Sequence, residues 1–134
     1  MRVDLEKFKG IFMAMYSAYD DNGNVDKERV KKLARYYADK KVKGLYVGGS
    51  SGEGVLQSEE ERKLVVEAVM EEVGKELTII VHVGANSTPE SVRLAQHAAK
   101  MGADAVSSIP AVYYRLSPQS VKAHWQAMID STDL

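Results

Sequence analysis

The densest grouping of residues suited to chemistry is Gly48-Gly49-Ser50-Ser51-Gly52-Glu53-Gly54, four glycines in seven residues with two adjacent hydroxyls. Backbone N–H groups unshielded by side chains can approach an anion there, and the serines add donors, a geometry that suits a carboxylate or a phosphate. The same composition also suits a plain strand-to-helix turn that needs positive φ. It lacks the Gly-Lys-Ser/Thr ending of a P-loop and is not a G-x-G-x-x-G fingerprint. A second grouping, Tyr113-Tyr114-Arg115, sets two phenols beside a guanidinium. Phenols relay protons when another hydroxyl is in reach, although composition alone favours aromatic packing or an interface patch. His82 lies inside an apolar run and reads as a hydrogen-bonded core or barrel-interior histidine. His97 and His124 fall on helical stretches expected to cover the outside, and neither has a second ligand at i+4 to suggest a metal. The run Glu59 to Lys63 and the pair Glu71-Glu72 read as solvated helix faces. Trp125 with Val121 and Met128 has the spacing of a packed or subunit-contacting helix stripe.

These residues are placed by an alternation of apolar runs and helical stretches, repeated four times. The runs are Gly10 to Tyr16, Gly44 to Val47, Leu77 to Val83 and Ala103 to Ile109. The first helix, about Asp26 to Lys41, repeats Val30, Leu33, Ala34 and Tyr37 at the spacing of one buried stripe. Ser58 with Glu61 forms a capping box for the second, whose buried face is Leu64, Val65, Ala68 and Val69. Thr88 followed by Pro89 is expected to cap the third, which stops at Gly102. Ser117-Pro118 repeats that start for a fourth helix reaching about Ser131.

Strands separated by one helix each imply a parallel sheet with right-handed crossovers. Two architectures fit: a complete four-stranded open sheet with helices on both faces, or the (β/α)₄ half of a (β/α)₈ barrel. In either, ligands lie beyond the carboxyl ends of the strands, at Ala14 to Asp20, Gly48 to Gln57, Val83 to Thr88 and Pro110 to Ser117. No lysine falls in those segments, so the chain offers no amine for a Schiff base at the ligand.

Composition narrows the rest. The 134 residues are 45% hydrophobic and 28% charged, fit for one domain covering residues 1–134. Eighteen Lys and Arg against nineteen Asp and Glu give a net charge of -1 with no concentrated basic stretch, which argues against nucleic acid as partner. No apolar run approaches the roughly 18 residues of a membrane span, and Met1 to Lys9 does not build a signal-peptide core, so a cytoplasmic protein is expected. Cysteine is absent, which removes disulfides, thiolate nucleophiles and Cys-based metal sites.

Three segments in register, Gly49-Ser50-Ser51-Gly52-Glu53, Val83-Gly84-Ala85-Asn86-Ser87-Thr88 and Pro110-Ala111-Val112-Tyr113-Tyr114, resemble the N-acetylneuraminate lyase and dihydrodipicolinate synthase family. The resemblance covers essentially the whole chain, and the serine pair and the stretch around Tyr113 to Ser117 look closer to the neuraminate lyase branch. It implies a TIM barrel, here the first four βα units as a half-barrel, and a lyase that makes or breaks pyruvate adducts through a Schiff base, without cofactor or metal. Carried over by position, Ser51 with the neighbouring turn, Gly49 and Gly52 included, would hold the pyruvate carboxylate. Ser50 would join a hydroxyl relay completed by Tyr114 across a tight dimer interface, and Glu53 would only orient. The family's own catalytic tyrosine follows the fifth strand and its Schiff-base lysine the sixth, both beyond Leu134. The resemblance therefore implies pyruvate and an aldehyde or sialic acid-type substrate as small-molecule partners, a homo-oligomer or a complementing carboxy-terminal half as protein partner, and a chain inactive by itself. A non-catalytic, self-associating half-barrel and a dihydrodipicolinate synthase-type lyase are the alternatives.

Overall fold

A computed structural model describes residues 4–134. After a 3₁₀ turn, Leu5–Phe8, the elements are β1 (Phe12–Ala14), α1 (Lys27–Asp39), β2 (Gly44–Val47), α2 (Glu59–Val73), β3 (Thr78–His82), α3 (Thr88–Met101), β4 (Ala105–Ser107) and α4 (Pro118–Ile129). The strands pair in parallel in the order β1-β2-β3-β4. A doubly wound sheet reverses its order at a switch point; this sheet runs straight through, as the wall of a barrel does.

The two faces of the sheet differ accordingly. Leu45, Val47, Ile79, Val81 and Val83 are buried under the helices with Val30, Ala34, Val65, Val69, Ala95 and Ala98. The alternate positions, which register pairs as Ala14, Tyr46, Ile80 and Ala105 at one level, form the concave face and stay partly or fully accessible. Helices on one face only and a strand order that follows the chain make this an α/β half-barrel. No helix among the described residues is long and apolar enough to cross a membrane.

Most helix boundaries follow their caps. Asp26 accepts from the Arg29 amide, and the Ser58–Glu61 box is formed in both directions. Gly102 ends α3 with φ +86°, and Ser117 caps α4. Three expectations shift. The ladders are shorter than the apolar runs, most of all at β1 and β4, where the run extends past the residues that have a ladder partner. The helix ends also move inward, α1 stopping at Asp39 and α4 at Ile129. The cap of α3 is Ser87, whose Oγ accepts from the Glu90 amide at 3.2 Å. Ser87 has the extended backbone of a cap, φ -114° and ψ 131°, so Thr88 is the first helical residue, and its hydroxyl lies 2.8 Å from Nδ1 of His124.

Candidate functional site

The glycine-rich segment leaves β2 at its carboxyl end and folds back on itself. Gly48 has φ +73° and Glu53 φ +55°, so one of the two left-handed positions is occupied by a residue that pays for it. The other glycines serve close approach. A Cβ on Gly54 would collide with the Gly48 carbonyl, and one on Gly49 would come within 2.6 Å of the Tyr46 ring. The amides of Gly52 and Gly54 both donate to Gly49 O, at 3.1 and 3.2 Å. Gly52 O in turn accepts from Ser17 Oγ at 2.7 Å and from Gln57 Nε2 at 3.3 Å. Gly49 and Gly52 thus form a buried backbone frame, with the Gly52 amide spent inside the turn. Ser50 and Ser51 project from it, exposed. Among the described residues neither serine's amide or hydroxyl has a hydrogen-bond partner.

Gln57 Nε2 also donates to the Tyr19 hydroxyl at 2.9 Å. Burial above all, with the Glu53 carboxylate adding to it, raises the Tyr19 phenol above its ordinary pKa. Ser17, Tyr19 and Gln57 carry no motif; the structure alone shows that they brace the turn.

The loop after β4 carries Tyr113 and Tyr114, packed edge to face with ring centroids 4.9 Å apart and strongly exposed. Asn86, in the segment after β3, anchors this loop by accepting from the Val112 amide at 3.1 Å. Within this chain no hydrogen bond joins Tyr114 to Ser50 or Ser51, and Arg115 is likewise exposed. The structure therefore brings the three segments to one end of the sheet without connecting the phenol to the serine hydroxyls.

Beneath the turn lies a cavity of about 200 Å³ lined by Gln57, Arg62, His82, Asn86, Glu90 and Val112 among others. Neither serine lines it. Arg62 is the residue that sequence reasoning missed. In the expected solvated run it is 5% exposed, and its guanidinium donates to Gly84 O at 3.0 Å and to His82 O at 2.9 Å. Its Nε and the Oε1 of Gln57 are buried without partners among the described residues. Burial pulls the Arg62 pKa below that of a free guanidinium. A signal existed: residues 62, 65, 66, 69 and 73 make one helical stripe, and the expected buried face began two residues too late, at Leu64, which is only partly covered. Glu59 in the same run is also largely covered, with a 15% exposed side chain bound by Arg93 at 2.7 Å and Lys63 at 2.6 Å.

His82 is buried as expected, and its ring nitrogens contact Gly48 O and the Ile109 amide. His97, expected on the outside, has a largely covered side chain, 15% exposed and 2.9 Å from Glu67 Oε1. His124, expected on the outside, is buried; α4 turns it toward the amino terminus of α3, where Thr88 meets it. Trp125 is 39% exposed while Met128 is buried, so the α4 stripe is only half covered. No lysine lines the cavity or the segments after the strands. Lys7, Lys41, Lys43 and Lys75 surround a separate recess at the amino ends of the strands.

Comparison with known proteins matches this geometry. The profile of the Dihydrodipicolinate synthetase family matches residues 7–134. N-acetylneuraminate lyase of Mediterraneibacter gnavus is 45% identical over 93% of this chain and 40% of its own length. N-acetylneuraminate lyase 2 of Escherichia coli is 42% identical over 95% of this chain and 42% of its own length. Among solved structures, a catalytic lysine mutant of Ruminococcus gnavus sialic acid aldolase superposes with a TM-score of 0.94 at 44% identity, covering 98% of this chain and 43% of the other. The chain thus spans about two fifths of the length of the relatives it matches. Strand order, the three segments at one end of the sheet and the match over residues 7–134 agree, and the chain belongs to the dihydrodipicolinate synthetase family.

Proposed function

We propose that this chain supplies the carboxylate-binding turn and a relay tyrosine of a Schiff-base lyase that releases pyruvate from a sialic acid-type substrate. Ser51 and the free amides of the turn hold the pyruvate carboxylate. Ser50 passes a proton in a hydroxyl relay with Tyr114 from a neighbouring subunit. The amine that attacks the carbonyl comes from outside this chain, either a complementing carboxy-terminal half or the remainder of a longer polypeptide. The observation that carries this reading is the set of adjacent, unpartnered donors on Ser50 and Ser51, at an end of the sheet that holds no lysine. An exposed Tyr114 without a partner in its own chain supports the relay across subunits. The identity to lyases named for N-acetylneuraminate supports the substrate class.

The test is pyruvate titration of the ¹⁵N-labelled chain together with borohydride trapping. Shifts at the Ser50 and Ser51 amides, lost in Ser51→Ala, with no covalent adduct by mass spectrometry, are expected. A stable pyruvate adduct on this chain overturns the assignment of the amine. Adding the carboxy-terminal part of the Mediterraneibacter gnavus lyase is expected to place the trapped adduct on the added part.

A second reading, a non-catalytic half-barrel that pairs with another copy, is favoured by the open edges of β1 and β4 and by exposed Trp125 and Ile129 on α4. Burying such edges and apolar area drives association. Light scattering separates the readings: a stable monomer counts against self-association.

A further inference from the structure

His82 touches main-chain atoms of both neighbouring loops. Its Nδ1 lies 3.2 Å from Gly48 O, where the glycine-rich turn begins. Its Nε2 lies 3.3 Å from the Ile109 amide nitrogen, where the loop carrying Tyr113 and Tyr114 begins. A carbonyl oxygen only accepts and an amide N–H only donates, so these two contacts are satisfied together by one protonation state: neutral, with hydrogen on Nδ1 and a lone pair on Nε2. Space is reserved for the ring. A Cβ on Gly84 would come within 2.9 Å of His82 Nε2, although Gly84 is not among the residues with positive φ. From above, Arg62 on α2 binds the His82 carbonyl.

We infer that His82 is a positioning residue, a neutral imidazole that fixes the glycine-rich turn and the tyrosine-bearing loop relative to one another, and that a second proton on Nε2 releases the tyrosine-bearing loop. This rests on the reading of those two segments as the carboxylate-binding and relay parts of the site. The second proton would face a donor, the Ile109 N–H, and the contact would turn from attractive to repulsive. The loop would then be held by Asn86 at Val112 but no longer at its root.

The surroundings act on the same equilibrium. Burial first, then the Arg62 cation, lower the His82 pKa below the ordinary histidine value, and the Gly48 carbonyl opposes them. Glu90 at the start of α3 lines the same cavity, the Tyr46 ring from β2 is 6.3 Å from the imidazole, and Ser108 Oγ, just past β4, lies 3.0 Å from the same Gly84 Cβ position as the ring. The neutral form therefore prevails at neutral pH, and release belongs to pH values below the usual histidine range.

Histidine-selective ¹⁵N labelling reads this directly. Long-range ¹H–¹⁵N correlation of the chain at neutral pH is expected to show protonated Nδ1 and bare Nε2 at His82. On titration from about pH 7.5 to about 4, past the lower end of the usual histidine range, the Ile109 amide is expected to shift in step with the His82 nitrogens. His82→Gln keeps an acceptor near Ile109, and His82→Asn keeps a donor near Gly48. Exchange of the Ile109 amide is expected to stay slow in His82→Gln and to quicken about fivefold to tenfold in His82→Asn, the effect of one lost hydrogen bond. The Nε2–H tautomer, an Ile109 amide indifferent to the titration, or equal exchange in both variants would overturn the inference. If either variant fails to fold, tautomer and titration decide alone. None of these readouts depends on pyruvate, so the clamp and the proposed function fail separately.

Discussion

Gly84 is a glycine because the imidazole of His82 lies where its side chain would be, 2.9 Å from the position of a Cβ. Gly84→Ala must push the ring off its two main-chain partners or shift the backbone that Arg62 holds. A loss of about 1–3 kcal/mol is expected, the range for overpacking. The Ile109 amide should lose protection in the same variant. Urea unfolding and amide exchange check the two parts, and an unchanged midpoint would mean that the ring has room to spare.

Arg62 ties α2 to the end of β3 through two carbonyls, those of His82 and Gly84. Arg62→Met keeps most of the apolar stem but leaves both acceptors without their donor. The expected cost is about 2–4 kcal/mol, since unsatisfied buried groups carry their full desolvation penalty. Arg62→Lys offers a compact ammonium in place of a planar fork and should recover only part of it. Chemical denaturation of the two variants gives the order directly, and a lysine variant as stable as the parent would show that charge, not shape, is recognised.

What the sequence displays is local. The Ser58–Glu61 box, the Gly102 stop and the Val30–Leu33–Ala34–Tyr37 stripe are each written within a few residues, and each forms, with Leu33 only partly covered. The strand order is not local: parallel runs look alike whichever neighbour they take, and only the register pairs that set β2 beside β3 and β3 beside β4, such as Leu45 with Ile79 and Val81 with Val106, decide between an open sheet and a barrel wall. Arg62 was hidden because a charge in an acidic run looks solvated, whereas its acceptors lie on β3 and the segment after it. The glycine-rich segment was legible as a strand-to-helix turn. Which of its amides remain free was not, because Gly52 spends its own on Gly49.

Glu59 connects α2 to α3 through Arg93 while binding Lys63 on its own helix. The Arg93 hydrogen bonds first, then Lys63, hold its carboxyl at a pKa of about 2. A carboxyl whose pKa falls on folding stabilises the native state above its unfolded value of about 4.3, and this stability is lost as pH drops toward 2. Glu59→Gln is therefore expected to lower stability at pH 7 and to flatten its decline over that window. Glu71, held at about 2 by Lys27 and then Lys31, is far more exposed, so its contribution should fade with added salt where that of Glu59 persists. Urea midpoints between about pH 6 and 2.5, at low and high salt, make the comparison. Equal salt sensitivity would argue that the Glu59 cluster is as solvated as that of Glu71.

Ser87 and Thr88 exchange the roles that their order suggests, and stability can show it. Ser87→Ala removes an exposed N-cap bond and should cost about 1 kcal/mol. Thr88→Val removes the only partner that His124 Nδ1 has among the described residues, in a side chain 5% exposed whose Nε2 has none among them. That leaves a buried imidazole with no hydrogen bond and should cost about 1–3 kcal/mol, more than the cap itself. Pairing Thr88→Val with His124→Leu removes both polar partners, so the double variant is expected to be more stable than the sum of the singles implies, by about 1 kcal/mol or more. A double-mutant cycle in urea supplies that coupling energy. Simple additivity would mean that the hydroxyl and the imidazole do not share a hydrogen bond in solution.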